Sequence, residues 1–183
     1  MNYDSKNICW FVLFAANGKA TKIIYYLKTA NIEYFFPMHY QEKRIKDSKL
    51  TKCSLQPILR NFVFVRSSKA CLDPLLKEVK LQLGIKSDLY YRDLGNKRLI
   101  VVPETKMQNF IIIARSAERI IYFPNEEVNL KKGTRVRIIS GVFEGLEGIF
   151  VRVKGDRRVV VSLPELFSVA TAFIPLDSIL PLE

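Results

Sequence analysis

Residues 133–150 read GTRVRIISGVFEGLEGIF, and this stretch decides the fold of the last third of the chain. Two β-type runs, Arg135 to Ile139 and Ile149 to Val153, flank a segment punctuated by Gly141, Gly145 and Gly148. Valine and isoleucine suit a pleated, half-buried backbone, while glycine permits positive φ and close backbone approach. The pattern is strand, glycine-set turn, strand, with basic side chains along it.

Strands and turns continue from there to the end. Arg135–Ile139, Glu147–Val153, Arg158–Leu163, Ala170–Ile174 and Ser178–Leu182 read as strands, and Lys154-Gly155-Asp156-Arg157 as a hairpin turn. Five short strands in so few residues predict a small barrel, because closing a sheet removes its exposed edges. No Lys or Arg follows Arg158, so one end or face of the barrel is expected to be basic.

The 183 residues suit one large or two small domains, and 49% hydrophobic content is enough for packed cores. A net charge of +11 favours polyanionic partners, nucleic acid first, because releasing counterions from phosphates drives such binding. Cys9, Cys53 and Cys71 are odd in number and lack C-x-x-C spacing, which signals neither a disulfide framework nor a zinc site. Cys9 and Cys71 are read as small core residues in a reducing cytoplasm. No signal peptide is expected, and no apolar run approaches the roughly 20 residues that span a bilayer.

At the other end, Cys9 to Ala16 (CWFVLFAA) is the continuous apolar run of a strand covered on both faces. Asn17-Gly18 ends it, with Asn17 expected to cap a helix from Lys19 to about Ala30 whose buried stripe is Ala20, Ile23, Ile24, Leu27 and Ala30. Glu33 to Ile45 reads as one strand and Asn61 to Val65 as the next. The basic segment KRIKDSKLTK (43–52) between them forms a hairpin tip. That tip is either a solvated loop or a finger whose Lys43, Arg44, Lys46, Lys49 and Lys52 touch phosphates without reading sequence. A helix capped by Asp73 with Pro74 in its first turn, or a longer kinked one, ends near Val79. Short β segments at Leu89–Arg92 and Leu99–Val102 surround Gly95-Asn96, and a third helix runs from Pro103 to about Ala117, burying Met107, Phe110, Ile111 and Ala114. The expected fold is therefore α+β, an antiparallel sheet with flanking helices over 1–117. A linker at 118–130 follows, with a short pairing segment at Ile120–Phe123, and then a five-stranded barrel over 131–183.

Motif inspection finds no Walker A pattern, no G-x-S-x-G, no dinucleotide loop and no cluster of His, Cys and carboxylates, so neither an enzyme, a cofactor nor a metal is expected.

KKGTRVRIISGVFEGLEGIFVRV resembles a KOW motif of the SH3-like barrel type, carried by Gly133, Val136, Gly141, Phe143, Gly145 and Gly148. The likeness of residues 131–153 to a KOW motif leaves two binding classes open: a transcription factor, and an RNA-binding ribosome-assembly protein. Upstream, WFVLFAANGKATKIIYYL and PILRNFVFVR resemble the amino-terminal domain of NusG-type elongation factors, so the likeness spans the whole chain in the right order. YYRDLGNKRLIVVPETKMQNFI is similar to the specialised UpxY-type antiterminators of capsule operons. The resemblance implies a monomeric, cytoplasmic, nucleoid-associated bacterial factor that grips the RNA polymerase clamp and suppresses pausing or termination. It also implies contact with upstream or non-template DNA or nascent RNA. Leu59 and Phe62 stand where the family has its polymerase-binding aromatics, with Arg60 and Asn61 replacing the usual proline and glycine. Asn17 and Gly18 fall at the tip that approaches the opposite wall of the cleft, and Phe167 on the barrel loop that docks a ribosomal protein or termination factor.

Overall fold

The computed structural model describes residues 6–44, 51–93, 95–116, 120–123, 133–163 and 165–182, with the backbone alone for 40–44, 52, 53 and 123. The described residues form a mixed α/β protein of antiparallel sheets and three α-helices, divided into two compact units, residues 1–101 and 102–183.

In the first unit β1 (Ile8–Phe14) pairs antiparallel with β5 (Phe62–Ser68), and β5 with β2 (Glu33–Phe35). The short β6 (Val101–Val102) completes the order β2-β5-β1-β6. Phe11, Leu13, Val63 and Val65 face two helices, α1 (Ala20–Thr29) and α2 (Lys69–Gln82), and form one core with Ala20, Ile23, Leu27, Leu72 and Val79. Trp10, Val12 and Phe64 alternate with them onto the opposite face and are also buried, as a run apolar on both faces requires.

Several sequence expectations change for local reasons. Asn17 caps no helix: with φ of 57° it makes a left-handed turn with Gly18, and Lys19 precedes α1 without a side-chain cap. Ala30 lies past the end of α1 and is exposed. The strand expected over Glu33–Ile45 breaks at Pro37, which has no N–H to give a ladder. Beyond it β3 (Met38–Arg44) leaves the sheet and pairs with β4 (Thr51–Pro57), a strand hidden in the sequence by its polar composition. The hairpin arms are thus β3 and β4, not β3 and the Asn61–Val65 run. The cap of α2 is Ser68, whose Oγ accepts from the Cys71 N–H at 3.2 Å, so the longer helix forms and Pro74 lies inside it. Cys71 is exposed rather than core, being one position off the Leu72–Leu76–Val79 stripe, while Cys9 is half-buried.

The second unit is a six-stranded antiparallel sheet. Its strands are β7 (Ile121–Phe123), β8 (Thr134–Ile138), β9 (Glu147–Val153), β10 (Asp156–Leu163), β11 (Phe167–Ala170) and β12 (Ile179–Pro181), in the order β12-β8-β9-β10-β11-β7. β7 is the pairing segment expected near Ile120, and it joins this sheet as a sixth strand beside β11. β11 begins at Phe167, earlier than the expected Ala170, because Glu165 (φ 61°) turns the chain within a tight Leu166 N–H to Leu163 carbonyl closure. α3 (Glu104–Arg115) packs its buried Met107, Phe110, Ile111, Ile113 and Ala114 stripe within this unit, against β10 and β11. The sequence reading groups this helix with the elements before it; its apolar stripe is met by the strands after it.

The 133–150 stretch folds as expected. Gly145 N–H donates to the Ile138 carbonyl at 2.8 Å and Ile138 N–H to Leu146 at 2.9 Å, closing a turn over buried Phe143 and Leu146. Gly148 has a different role from Gly141 and Gly145. A Cβ there would lie 2.6 Å from the Val160 carbonyl oxygen and 2.7 Å from Val159 Cγ1, so the absence of a side chain lets β9 and β10 approach. At the start of β9, Glu147 accepts hydrogen bonds from Arg137 at 2.5 and 3.0 Å and from Arg135 at 3.4 Å. The Arg137 bonds, aided by Arg135 and opposed by modest burial, hold the Glu147 carboxyl below its ordinary value.

Gly148→Ala is expected to destabilise the protein by about 1–3 kcal/mol through overpacking, read as a lower urea midpoint. Gly145→Ala, with open space at φ 83°, should cost about 1–2 kcal/mol from backbone strain alone. A depressed carboxyl pKa stabilises the fold above the group's unfolded value and loses that contribution as pH falls through the folded value. Glu147→Gln should therefore lower stability at pH 7 and shrink the loss on acidification below the ordinary 4.5, measured by urea titrations at each pH.

Candidate functional site

The register of β1 and β5 places Phe14 directly opposite Phe62, at the end of one strand and the start of the other. Both belong to the sheet face opposite the α1–α2 core. Tyr91 joins them: its N–H donates to the Val12 carbonyl at 2.8 Å, two residues before Phe14 on β1. The three rings form a mutual cluster, with centroids 5.3 Å apart for Phe14–Phe62, 5.0 Å for Phe62–Tyr91 and 6.0 Å for Phe14–Tyr91. Edge-to-face packing of this kind holds aromatic surface in a set orientation. Phe14 is 36% exposed, and Phe62 and Tyr91 are half-buried, so the cluster is an accessible apolar patch rather than core.

Leu59 lies in the turn leading into β5, half-buried, with its carbonyl accepting from the Phe62 N–H at 3.2 Å. Arg60 is exposed in the same turn. The Asn61 carbonyl accepts from the Ala15 N–H at 2.8 Å, which ties this turn to the segment carrying Asn17 and Gly18. Asn17 and Gly18 are exposed at that end of the sheet. The structure thus sets the turn carrying Leu59 and the segment carrying Asn17 and Gly18 at the end of the sheet where Phe62 begins β5, and adds Phe14 and Tyr91, which sequence reasoning missed, against Phe62. The signal for Phe14 was its position as the last aromatic of the 9–16 run; Tyr91 carried none, because only long-range pairing brings it beside β1.

Of the basic hairpin, the backbone register sets Lys43 opposite Lys52 and Arg44 opposite Thr51. Lys46 and Lys49 lie outside the described residues.

In the second unit Val136 and Phe143 are buried and, with Gly133, Gly141, Gly145 and Gly148, serve as scaffold. Phe167, expected on the loop used for partner docking, is instead the first residue of β11 and only 8% exposed. Its ring lies 5.3 Å from Phe110 of α3 and 6.0 Å from Tyr122 of β7. The contact is reinforced by polar bonds: Asn109 Nδ2 donates to the Glu147 carbonyl at 2.9 Å and Lys106 Nζ to the Ser162 carbonyl at 3.4 Å. Burial raises the pKa of the Tyr122 hydroxyl, which has no hydrogen-bond partner among the described residues.

Among the described residues no group of three or more His, Cys, Asp or Glu side chains could hold a metal ion, and no helix is long and apolar enough to cross a membrane.

The family model described as transcription termination factor nusG matches residues 8–111. No curated protein sequence matches the chain significantly. A solved structure described as domain interaction in Thermotoga maritima NusG is similar over 98% of this chain and 100% of that one, at 15% identity and a TM-score of 0.45. With more than half of its length matched by that model, from β1 into α3, the chain belongs to the NusG family of transcription elongation and termination factors.

Proposed function

We propose that this chain is an elongation and antitermination factor of the specialised UpxY type, acting at particular operons such as those for capsular polysaccharide. Members of the NusG family are transcription factors that bind RNA polymerase and nucleic acid, not enzymes. The observation that carries the reading is the half-exposed Phe14–Phe62–Tyr91 patch, beside Leu59 and at the same end of the sheet as Asn17-Gly18. A few oriented aromatic groups with accessible faces suit anchoring in a protein groove, where such residues dominate binding energy. In this reading the patch holds the polymerase clamp and the Asn17-Gly18 tip reaches the other wall of the cleft. Bridging the walls disfavours the open, paused state by population shift, without catalysis.

The functional domains we assign are 1–117 for polymerase binding, 118–130 as linker and 131–183 as a KOW barrel of the SH3-like type. The family match supports the first by running into α3. The barrel recruits a second factor, a ribosomal protein or termination factor, through Phe167. Because Phe110 covers Phe167, that recruitment requires α3 to leave β11. The hairpin cations Lys43, Arg44, Lys46, Lys49 and Lys52 follow upstream or non-template DNA or nascent RNA by phosphate contact. The factor works as a monomer, in the cytoplasm and on the nucleoid.

Phe62→Ala should weaken binding to purified RNA polymerase about tenfold or more while circular dichroism stays unchanged. Unaltered affinity in a folded variant would remove the patch from the interface. Replacing Lys43, Arg44, Lys46 and Lys49 by serine should lower the slope of log affinity against log salt by up to roughly 3. An identical slope means the hairpin is a bystander. Chromatin-type mapping of the bound protein across the genome should show occupancy confined to a few operons, and occupancy of all transcribed genes overturns the UpxY assignment. Co-purification with ribosomal precursor particles instead of polymerase overturns the transcription reading.

A further inference from the structure

The C-terminal end of α2 and the loop after it, residues 84–90, line an open pocket of about 540 Å³, whose last lining residue, Tyr90, precedes Tyr91 of the aromatic patch. The helix closes in a Schellman arrangement: Ile85 N–H donates to the Lys80 carbonyl at 2.8 Å and Gly84 N–H to Leu81 at 3.3 Å, with Gly84 at φ 60°. That closure turns the chain back beneath the helix and shapes the cavity. Its floor is apolar, built on Leu76 and Leu89, which are almost fully buried, and half-buried Ile85. Leu81 also lines it and is 84% exposed.

The charges around this floor are unbalanced. Lys77, Lys80 and Lys86 line the pocket with Asp73 and Asp88. Both carboxylates are already engaged by other groups. Asp73 pairs with Lys69 and accepts from the Tyr90 hydroxyl at 2.7 Å, and Asp88 pairs with Arg92 at 2.9 Å. None of the three lysines makes an ion pair or hydrogen bond among the described residues. The result is an apolar basin with an uncompensated positive rim, of a volume within the roughly 300–1,000 Å³ typical of small-ligand sites.

We propose that this pocket binds a small amphipathic anion, a compact apolar body carrying a carboxylate or phosphate. The body covers Leu76, Ile85 and Leu89, and the anionic head is held by Lys77, Lys80 and Lys86. A neutral apolar ligand would forgo the rim, and a bare anion would leave the floor wet, so the two features together select a molecule with both parts. A cationic ligand would meet three lysines and two carboxylates already paired with Lys69 and Arg92.

The test is a methyl NMR titration of the full chain with octanoate and with octyl phosphate. Acetate and inorganic phosphate serve as charge-only controls, and 1-octanol as the apolar-only control. Saturable shifts at Leu76, Leu81, Ile85 and Leu89 are expected for the first two ligands, and the tighter of them identifies the head group. The double variant Lys77→Ser, Lys80→Ser, at one exposed and one half-buried helix position, should keep its circular dichroism spectrum and bind octanoate about tenfold more weakly. Shifts that do not saturate, equal binding of 1-octanol, unchanged affinity in the variant, or shifts centred on Phe14, Phe62 and Tyr91 each overturn the proposal. None of these results bears on polymerase binding, which Phe62→Ala reads separately.

Discussion

The antiparallel pairing of β1 with β5 is the constraint on which the first unit depends. It sets Phe11 opposite Val65 and Leu13 opposite Val63, which puts four buried residues on the face that α1 and α2 cover. The same register sets Val12 opposite Phe64 and Phe14 opposite Phe62 on the other face. Side chains alternate with period two, so a slip of one residue would drive the accessible rings into the helical core and the core residues outward. Core and candidate interface are therefore two consequences of one register. The patch lies where that pairing ends, at the point on the strands where burial gives way to exposure.

The second unit rests on close approach. Gly148 lets β9 lie against the Val159–Val160 backbone of β10, and the turn around Gly141 and Gly145 folds Phe143 and Leu146 under the sheet. With the sheet thus shaped, β10 and β11 present an apolar surface that α3 fills. Phe110, Tyr122 and Phe167 form the aromatic centre of that contact, and Asn109 and Lys106 bond backbone carbonyls at its margin. α3 belongs by family match with the strands before it and by packing with the strands after it. One apolar stripe serves both descriptions, since a helix needs a partner for its buried face and the stripe does not specify which.

Charge is distributed with a similar division of roles. The Glu147 carboxylate is clasped by Arg137 and Arg135 and fixes the entry to β9, and Asp73 of α2 is held by Lys69 of the same helix and by Tyr90. These pairs organise local structure. The excess behind the net charge of +11 includes the lysines that rim the α2 pocket, which no carboxylate among the described residues pairs with. Unneutralised cations at a concave apolar surface hold the potential for anion recognition, whereas paired ones do not.

The sequence by itself determined whatever depends on local periodicity and glycine chemistry. The doubly covered β1, the stripes of α1 and α3, the strand–turn–strand at 133–150 and the β-rich last third were all legible, because apolar spacing and glycine act over a few residues. Leu59, Phe62, Asn17 and Gly18 are grouped only by family likeness, since their spacing along the chain does not announce proximity. Tertiary structure alone decided the rest. It brought Tyr91 against Phe14 and Phe62, set β4 against β3, and covered Phe167 with Phe110. Each of these turns on which distant apolar surface or backbone partner is available, and an amphipathic stripe or an aromatic ring records only that it must be buried, not against what.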